Sequence, residues 1–88
     1  MNLEIFSVYD SKAETYMAPW TATNKATAIR AFSDQCNNPD SSFSRHPHDY
    51  ALMHLGSWDD QTARYETLEV PTNMGLAHEF KTQQEMFE

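Results

Sequence analysis

Glycine and basic residues are both scarce in this sequence. Only Gly56 and Gly75 are glycines among 88 residues, which excludes a glycine-rich loop that cradles phosphate groups. Thirteen acidic residues outnumber six basic ones and give a formal net charge of -7, which repels a nucleic-acid backbone at long range. Any role on nucleic acid therefore depends on how a small number of cations is arranged.

Cysteine and long apolar runs are also nearly absent. The single cysteine, Cys36, excludes an internal disulfide, and it falls on the predicted buried face of a helix, where a thiol acts as a packing group rather than a nucleophile. No run approaches the roughly 18 apolar residues of a membrane span. The first nine residues do not resemble a signal peptide. We expect a protein of a reducing cytoplasm that makes no contact with a membrane.

Aromatic residues are abundant by contrast. Five Phe, four Tyr and two Trp belong to a hydrophobic fraction of 40%, which is enough to fold one core. A chain of this length has no room for a second domain. We predict a single domain over residues 1–82, a frayed tail over residues 83–88, and a homo-oligomer, because association buries apolar surface that a short chain leaves exposed.

Strand patterns occupy most of the chain. Residues 3–9 predict a central strand covered on both faces, and residues 15–20 predict a short or edge strand because Pro19 lacks a backbone donor. Residues 40–47 are Ser-rich and predict a mobile surface loop, and segments 49–58 and 63–70 predict a β-hairpin. The hairpin alternation predicts that one face carries Tyr50, Leu52, His54 and Trp58 and that the other carries Ala51, Met53 and Leu55.

Two helices are predicted from periodicity and capping residues. The first is capped by Thr23 or Asn24 and runs to about Gln35 or Cys36, where Asn37-Asn38-Pro39 supplies a left-handed stop followed by a helix breaker. Its predicted buried stripe is Ala26, Ile29, Phe32, Ser33 and Cys36. The second follows Pro71, with Leu76, Phe80 and Phe87 on one face. The fold class is therefore α+β: a small, mostly antiparallel sheet of about four strands in the order β-β-α-β-β-α, with one or two helices packed on one face.

Catalytic and metal-binding patterns are weak. His46 and His48 with Asp49 form the string most typical of a metal site, but two imidazoles without a second ligand cluster are better explained as a solvated loop. His54 and His78 lie in apolar stretches and are predicted at the edge of the core. The pair Asp59-Asp60 falls in a hairpin turn, where Asp bonds the local backbone. We predict no enzyme activity, no metal site and no cofactor.

Two kinds of binding remain open. The less acidic residues 1–44 carry three bases against five acids and predict a DNA surface, in which cations contact phosphates and aromatic rings stack on bases. The candidate residues are Lys12, Lys25, Arg30, Arg45, Tyr16 and Trp20. Residues 45–88, with three bases against eight acids, predict instead an acidic module that binds a partner protein. The tail 83–88 either docks in a basic groove of such a partner or frays.

Four strings resemble those of a known family when they are taken together. They are MNLEIFSVYDSKAETYMAPW, KATAIRAFSD, HPHDYALMHLGSWDD and GLAHEF. In order and coverage they resemble the small nonstructural protein of the gokushovirus-type microviruses, which are phages with circular single-stranded DNA genomes. The resemblance implies a protein of the host bacterial cytoplasm, absent from the virion, that binds DNA during single-stranded genome synthesis or the switch to packaging. It brings no catalytic residues. Because a net charge of -7 conflicts with DNA binding, either oligomerisation gathers the few cations into one groove, or the partner is a phage or host protein of replication or packaging.

Overall fold

A computed structural model describes residues 1–81, which form one antiparallel sheet and a small group of helices on one of its faces. The strands are β1 (Asn2–Asp10), β2 (Thr15–Tyr16), β3 (Trp20–Ala22), β4 (Tyr50–Asp59) and β5 (Tyr65–Leu76). The helices are α1 (Lys25–Cys36) and α2 (Ser42–Arg45), and a 3₁₀ turn (Ala77–Phe80) follows β5. The predicted α+β class is confirmed.

The sheet is built around β1, as the sequence predicts. β4 pairs with one side of β1. β2 and β3 both pair with its other side, β2 near the end of β1 and β3 nearer its start, so that the order is β2-β1-β4-β5 with β3 on the same side of β1 as β2. Side chains of β1 alternate between the two faces. Phe6 and Val8 join the core beneath the helices, and Ile5 and Ser7 are buried on the opposite face.

The predicted second strand is split in two by residues 17–19. Pro19 has no N–H to donate, so β2 ends before it and β3 begins after it. The interruption is nevertheless tied to β1: the Met17 N–H donates to the Val8 carbonyl at 2.8 Å, and the Ser7 hydroxyl donates to the Met17 carbonyl at 2.6 Å. The sheet consequently has five strands in place of about four.

The bounds of α1 agree with the prediction, but its rotation does not. Asn24 is the N-cap and accepts a hydrogen bond from the Thr27 N–H at 2.8 Å. The fully buried residues are Ala28, Phe32 and Cys36, whereas Ala26 is exposed and Ile29 and Ser33 are half-buried. The predicted buried stripe was therefore wrong at Ala26, Ile29 and Ser33. The rotation of α1 about its axis is set by how the helix packs against the sheet.

The end of α1 differs from the predicted left-handed stop. Asn37 has φ -100° and lies outside the left-handed region. Its side-chain amide donates to the Ser33 carbonyl at 2.7 Å and to the Phe80 carbonyl at 3.1 Å. The Ser33 carbonyl also accepts the backbone N–H of Asn37 at 3.0 Å, so the side-chain amide adds a second hydrogen bond there and links the last helical turn to the 3₁₀ turn.

Residues 40–47 are not the irregular polar loop that their serine content predicts. Ser41 accepts a hydrogen bond from the Phe43 N–H at 3.0 Å and caps the short helix α2. The Phe43 ring then packs 5.3 Å from Phe32 and 4.8 Å from Tyr50, measured between ring centroids. The serines therefore begin a helix, and one aromatic side chain attaches it to the core.

The predicted second helix after Pro71 is wrong within the described residues. β5 continues through Pro71 to Leu76 and is followed only by the 3₁₀ turn. Proline is tolerated there because β5 is an edge strand, and residues 68–71 have no partners in β4. Phe80 still reaches the core, with its ring 5.4 Å from that of Phe32. Phe87 and the predicted tail 83–88 lie outside the described residues.

Two connections in the sheet share one loop geometry. Asp10 and Asp59 each end a strand, and each carboxylate accepts the backbone N–H two residues further on, at 3.0 and 2.9 Å. The fourth loop residue, Glu14 in one loop and Ala63 in the other, has a positive φ of 57° and 60°. This confirms the prediction that Asp59 bonds the local backbone of a hairpin turn.

Candidate binding surface

The two faces of the sheet differ in what covers them. The helices contact one another and pack over the face that carries Phe6, Val8 and Leu52. Within residues 1–81 no helix packs on the opposite face, which we call the open face. Because directly paired residues of neighbouring strands share a face, the open face includes Tyr9 with Tyr16 and Trp58 with Tyr65.

Two aromatic pairs lie on the open face. The ring centroids of Tyr9 and Tyr16 are 4.9 Å apart, and those of Trp58 and Tyr65 are 6.4 Å apart. The second pair borders an open groove of about 260 Å³. The groove is lined by Ile5, Pro19, Trp20, Thr21, Trp58 and Tyr65. Tyr65 is 69% exposed, so one face of its ring is accessible to a planar ligand.

The predicted aromatic residues have unequal exposure. Tyr16 is 45% exposed and belongs to the first pair. Trp20 is half-buried, and its ring centroid lies 6.0 Å from that of Phe6, so much of its surface belongs to the core. Trp58 and Tyr65 were not among the predicted DNA-binding residues. The signal for them was their symmetrical position on either side of the hairpin turn, where facing residues of two strands pair.

The four predicted cations are exposed but are not gathered in one place. Lys12 lies in the loop after β1. Lys25 begins α1, close to the opposite end of β1, because β3 just before it pairs Ala22 with Glu4. The six residue-to-residue steps from Glu4 to Asp10 span about 20 Å at the rise of a β-strand. Lys12 and Lys25 therefore lie at opposite ends of the sheet.

The two predicted arginines are placed on the helices. Arg30 lies on the exposed side of α1, and Arg45 ends α2, where its guanidinium donates to the Asp40 carbonyl at 3.2 Å. Arg64, which was not among the predicted cations, directly precedes Tyr65 but lines a groove on the reverse side of the β4–β5 hairpin. No single stretch of surface therefore collects these cations.

The reverse side of the β4–β5 hairpin is polar and acidic. A groove of about 430 Å³ is lined there by Asn2, Ser57, Asp59, Thr62, Arg64 and Glu66. The hydrogen bond from the Gln61 N–H lowers the pKa of Asp59, so its carboxylate stays charged well below neutral pH. The hairpin thus presents aromatic rings on one face and carboxylates on the other.

The histidines occupy distinct environments. His54 is buried, as predicted, and its Nε2 lies 2.8 Å from the Glu4 carboxylate oxygen. This pairing satisfies a polar ring that packs 5.1 Å from Phe6. His78 is exposed rather than at the core edge, and it stacks on His48 at 4.4 Å. In the described part of the chain, no three His, Cys, Asp or Glu side chains are grouped to hold a metal ion.

Cys36 is fully buried in the core, as the helix pattern predicts. Burial raises the pKa of its thiol from an ordinary value of 9.0 to about 11, with the Lys81 ammonium acting in the opposite direction. The thiolate is the reactive form of cysteine. The native protein therefore keeps this thiol protonated and inaccessible at neutral pH.

We expect the Cys36 thiol to resist an aromatic disulfide reagent at pH 8 in the native protein and to react at once in denaturant. Because the folded pKa is the higher one, the thiol's contribution to stability is present below pH 9 and is lost as the pH rises through about 11. Urea midpoints measured from pH 8 upwards check this. Cys36→Ala should show a smaller decline over the same range, and an equal decline in both proteins would contradict the assignment.

These features define a small α+β protein with helices on one sheet face and an aromatic groove on the other. No helix in residues 1–81 is both long and apolar enough to cross a membrane. A family model described as Phage ORF5 protein matches residues 3–80, and the chain belongs to this family of bacteriophage proteins. Comparisons with curated proteins and with solved structures gave no match.

Proposed function

We propose that this phage protein binds single-stranded DNA on the open face of its sheet, as a nonstructural accessory protein of genome synthesis or of the switch to packaging. The supporting observation is the groove bordered by Trp58 and Tyr65, which leaves aromatic surface exposed on the face that no helix of residues 1–81 covers. The resemblance to the gokushovirus-type microviruses supplies the single-stranded genome. The role is binding rather than catalysis, in the host cytoplasm and without a cofactor.

Stacking supplies the attraction in this proposal. An aromatic side chain that stacks on a base contributes about 1–3 kcal/mol, and it does so for any base because each has a π-face. Two aromatic pairs at opposite ends of the open face would contact bases separated along one strand. Duplex DNA should bind more weakly, because its bases are already stacked inside the helix.

The charge distribution limits the electrostatic part of the affinity. Lys12 lies near the Tyr9–Tyr16 pair. Lys25, Arg30 and Arg45 all lie on the helices. A DNA strand on the open face would therefore contact about one of these cations, and a plot of the logarithm of affinity against the logarithm of salt concentration should have a slope of about -0.7, the contribution of each phosphate contact on single strands.

Fluorescence anisotropy with a labelled oligothymidylate at several salt concentrations tests this proposal. Tyr65→Ala should weaken binding about 5- to 150-fold, the equivalent of one lost stacking interaction. Lys12→Gln should reduce the salt slope by about 0.7, and Arg30→Gln, on the helix, should leave it unchanged.

Val70→Ala is the matched control for the tyrosine change, because Val70 is 76% exposed on the same strand but does not line the groove. It should leave the affinity for DNA unchanged. Undetectable binding at low salt, or equal binding by Tyr65→Ala and the parent protein, would refute the proposal.

A further inference from the structure

The outer edge of β5 has unpaired backbone groups. In the described residues β5 is the last strand of the sheet, and only β4 pairs with it. The Asp59 N–H donates to the Arg64 carbonyl at 2.9 Å, and the Glu66 carbonyl also lies against β4, next to Gly56. Because backbone groups alternate in direction along an antiparallel strand, those of Tyr65 and Thr67 point outward.

Large apolar side chains accompany this edge. Tyr65, Leu68 and Val70 are 69%, 41% and 76% exposed. Residues 68–71 have no partners in β4, so Leu68 and Val70 extend beyond the regular ladder. An edge with unpaired backbone groups and apolar side chains is a template for the addition of a further strand.

The charges beside the edge select what can be added. Asp59, Asp60, Glu66 and Glu69 lie on the hairpin, against the single cation Arg64. β5 carries no lysine, and its proline, Pro71, lies beyond the outward backbone groups of Tyr65 and Thr67, so neither of these residues protects that part of the edge from pairing. A second copy of this chain would bring two acidic edges together, and like charges on directly opposed strands repel.

We propose that the outer edge of β5 binds an extended cationic segment of a partner protein, which adds to the sheet as a further strand. Successive β5 residues face opposite sides of the sheet: Tyr65 and Thr67 lie on the open face, and Glu66 on the acidic side. The matching segment therefore alternates apolar residues with lysine or arginine. Main-chain hydrogen bonds supply affinity, and the carboxylates select the charge.

The test uses the full chain and two synthetic peptides, one alternating lysine with valine and one in which every lysine is replaced by glutamate. Nuclear magnetic resonance follows the backbone amides during titration. The lysine peptide should shift the amides of Tyr65 and Thr67 and slow their hydrogen exchange at least tenfold. The amides of β1 should not change. The glutamate peptide should have no effect at the same concentration.

Two variants separate the backbone contribution from the charge contribution. Thr67→Pro removes an outward N–H without removing a hydrogen bond to β4, and it should abolish peptide binding. The double variant Glu66→Lys with Glu69→Lys keeps the backbone intact and should reverse the preference, so that the glutamate peptide binds. It therefore also tests the proposal if the proline variant fails to fold.

Three outcomes would overturn the proposal. They are equal binding of both peptides, no amide shift up to millimolar lysine peptide, and protection of Tyr65 and Thr67 that grows with protein concentration in the absence of peptide. The last outcome would assign the edge to a second copy. An oligonucleotide that produces the same slowed exchange at Thr67 would assign it to DNA. The test of DNA binding is independent of this one, because DNA binding depends on the Tyr65 ring and strand addition depends on the Thr67 N–H.

Discussion

Replacement of Gly56 by alanine should lower the free energy of unfolding by about 3–5 kcal/mol, a large part of the 5–15 kcal/mol typical of a folded domain. Gly56 has φ +155°, which L-residues rarely adopt. A Cβ atom there would overlap the carbonyl oxygen of Glu66 and lie 2.8 Å from the Cα of Thr67. Both are backbone atoms of β5, so relief requires the two strands to separate. Urea unfolding monitored by circular dichroism measures the loss.

Gly75→Ala is the matched comparison for this change. Gly75 also has a positive φ, +133°, but a Cβ atom there would lie 3.0 Å from the Phe80 ring, which is a side chain that can rotate. Its loss should be about 1–2 kcal/mol, mostly backbone strain. Equal losses at the two glycines would show that the close approach of β5 to Gly56 does not determine the effect.

The position of Gly56 explains one failure of prediction from sequence. Between the pairs Ile5–Gly56 and Phe6–His54, β4 has one residue more than β1, which makes Leu55 a β-bulge. The bulge reverses the alternation, so Trp58 lies on the open face and not with His54 beneath the helices. Simple alternation had placed both on one face. A bulge depends on the register of two distant strands, which the local pattern of either strand does not contain.

Signals within a few residues predicted where a helix begins and ends better than they predicted which of its faces is buried. The bounds of α1 follow from Asn24 as N-cap and from the Asn37-Asn38-Pro39 sequence, since capping is decided within a few residues. The rotation of α1 is decided by the sheet. The continuation of β5 through Pro71 depends likewise on its edge position, which is a property of the whole sheet.

The candidate surface was predictable only in part for the same reason. The exposure of Lys12 and Tyr16 follows from their place in a polar turn and a short edge strand. The separation of Lys12 from Lys25 requires the pairing of β1 with β3 and is not visible in the chain order. The groove beside Trp58 and Tyr65 requires both the hairpin register and the bulge.

The second large effect is expected at Phe32, where alanine should lower the free energy of unfolding by about 3–5 kcal/mol. The Phe32 side chain is 2% exposed on the inner side of α1. Its ring lies 5.3 Å from Phe43 of α2 and 5.4 Å from Phe80 of the 3₁₀ turn. Removal of the ring leaves a cavity where three helical segments meet, and thermal and urea unfolding measure the loss.

Two variants on the same residue and helix distinguish this cavity from a general weakening of α1. Phe32→Leu retains most of the buried apolar volume and should lose less than half as much stability as the alanine variant. Arg30→Ala, on the exposed side of α1, should change stability by no more than about 0.5 kcal/mol. If Phe32→Ala cost no more than Arg30→Ala, the contacts of Phe32 with Phe43 and Phe80 would not hold α2 and the 3₁₀ turn against the sheet.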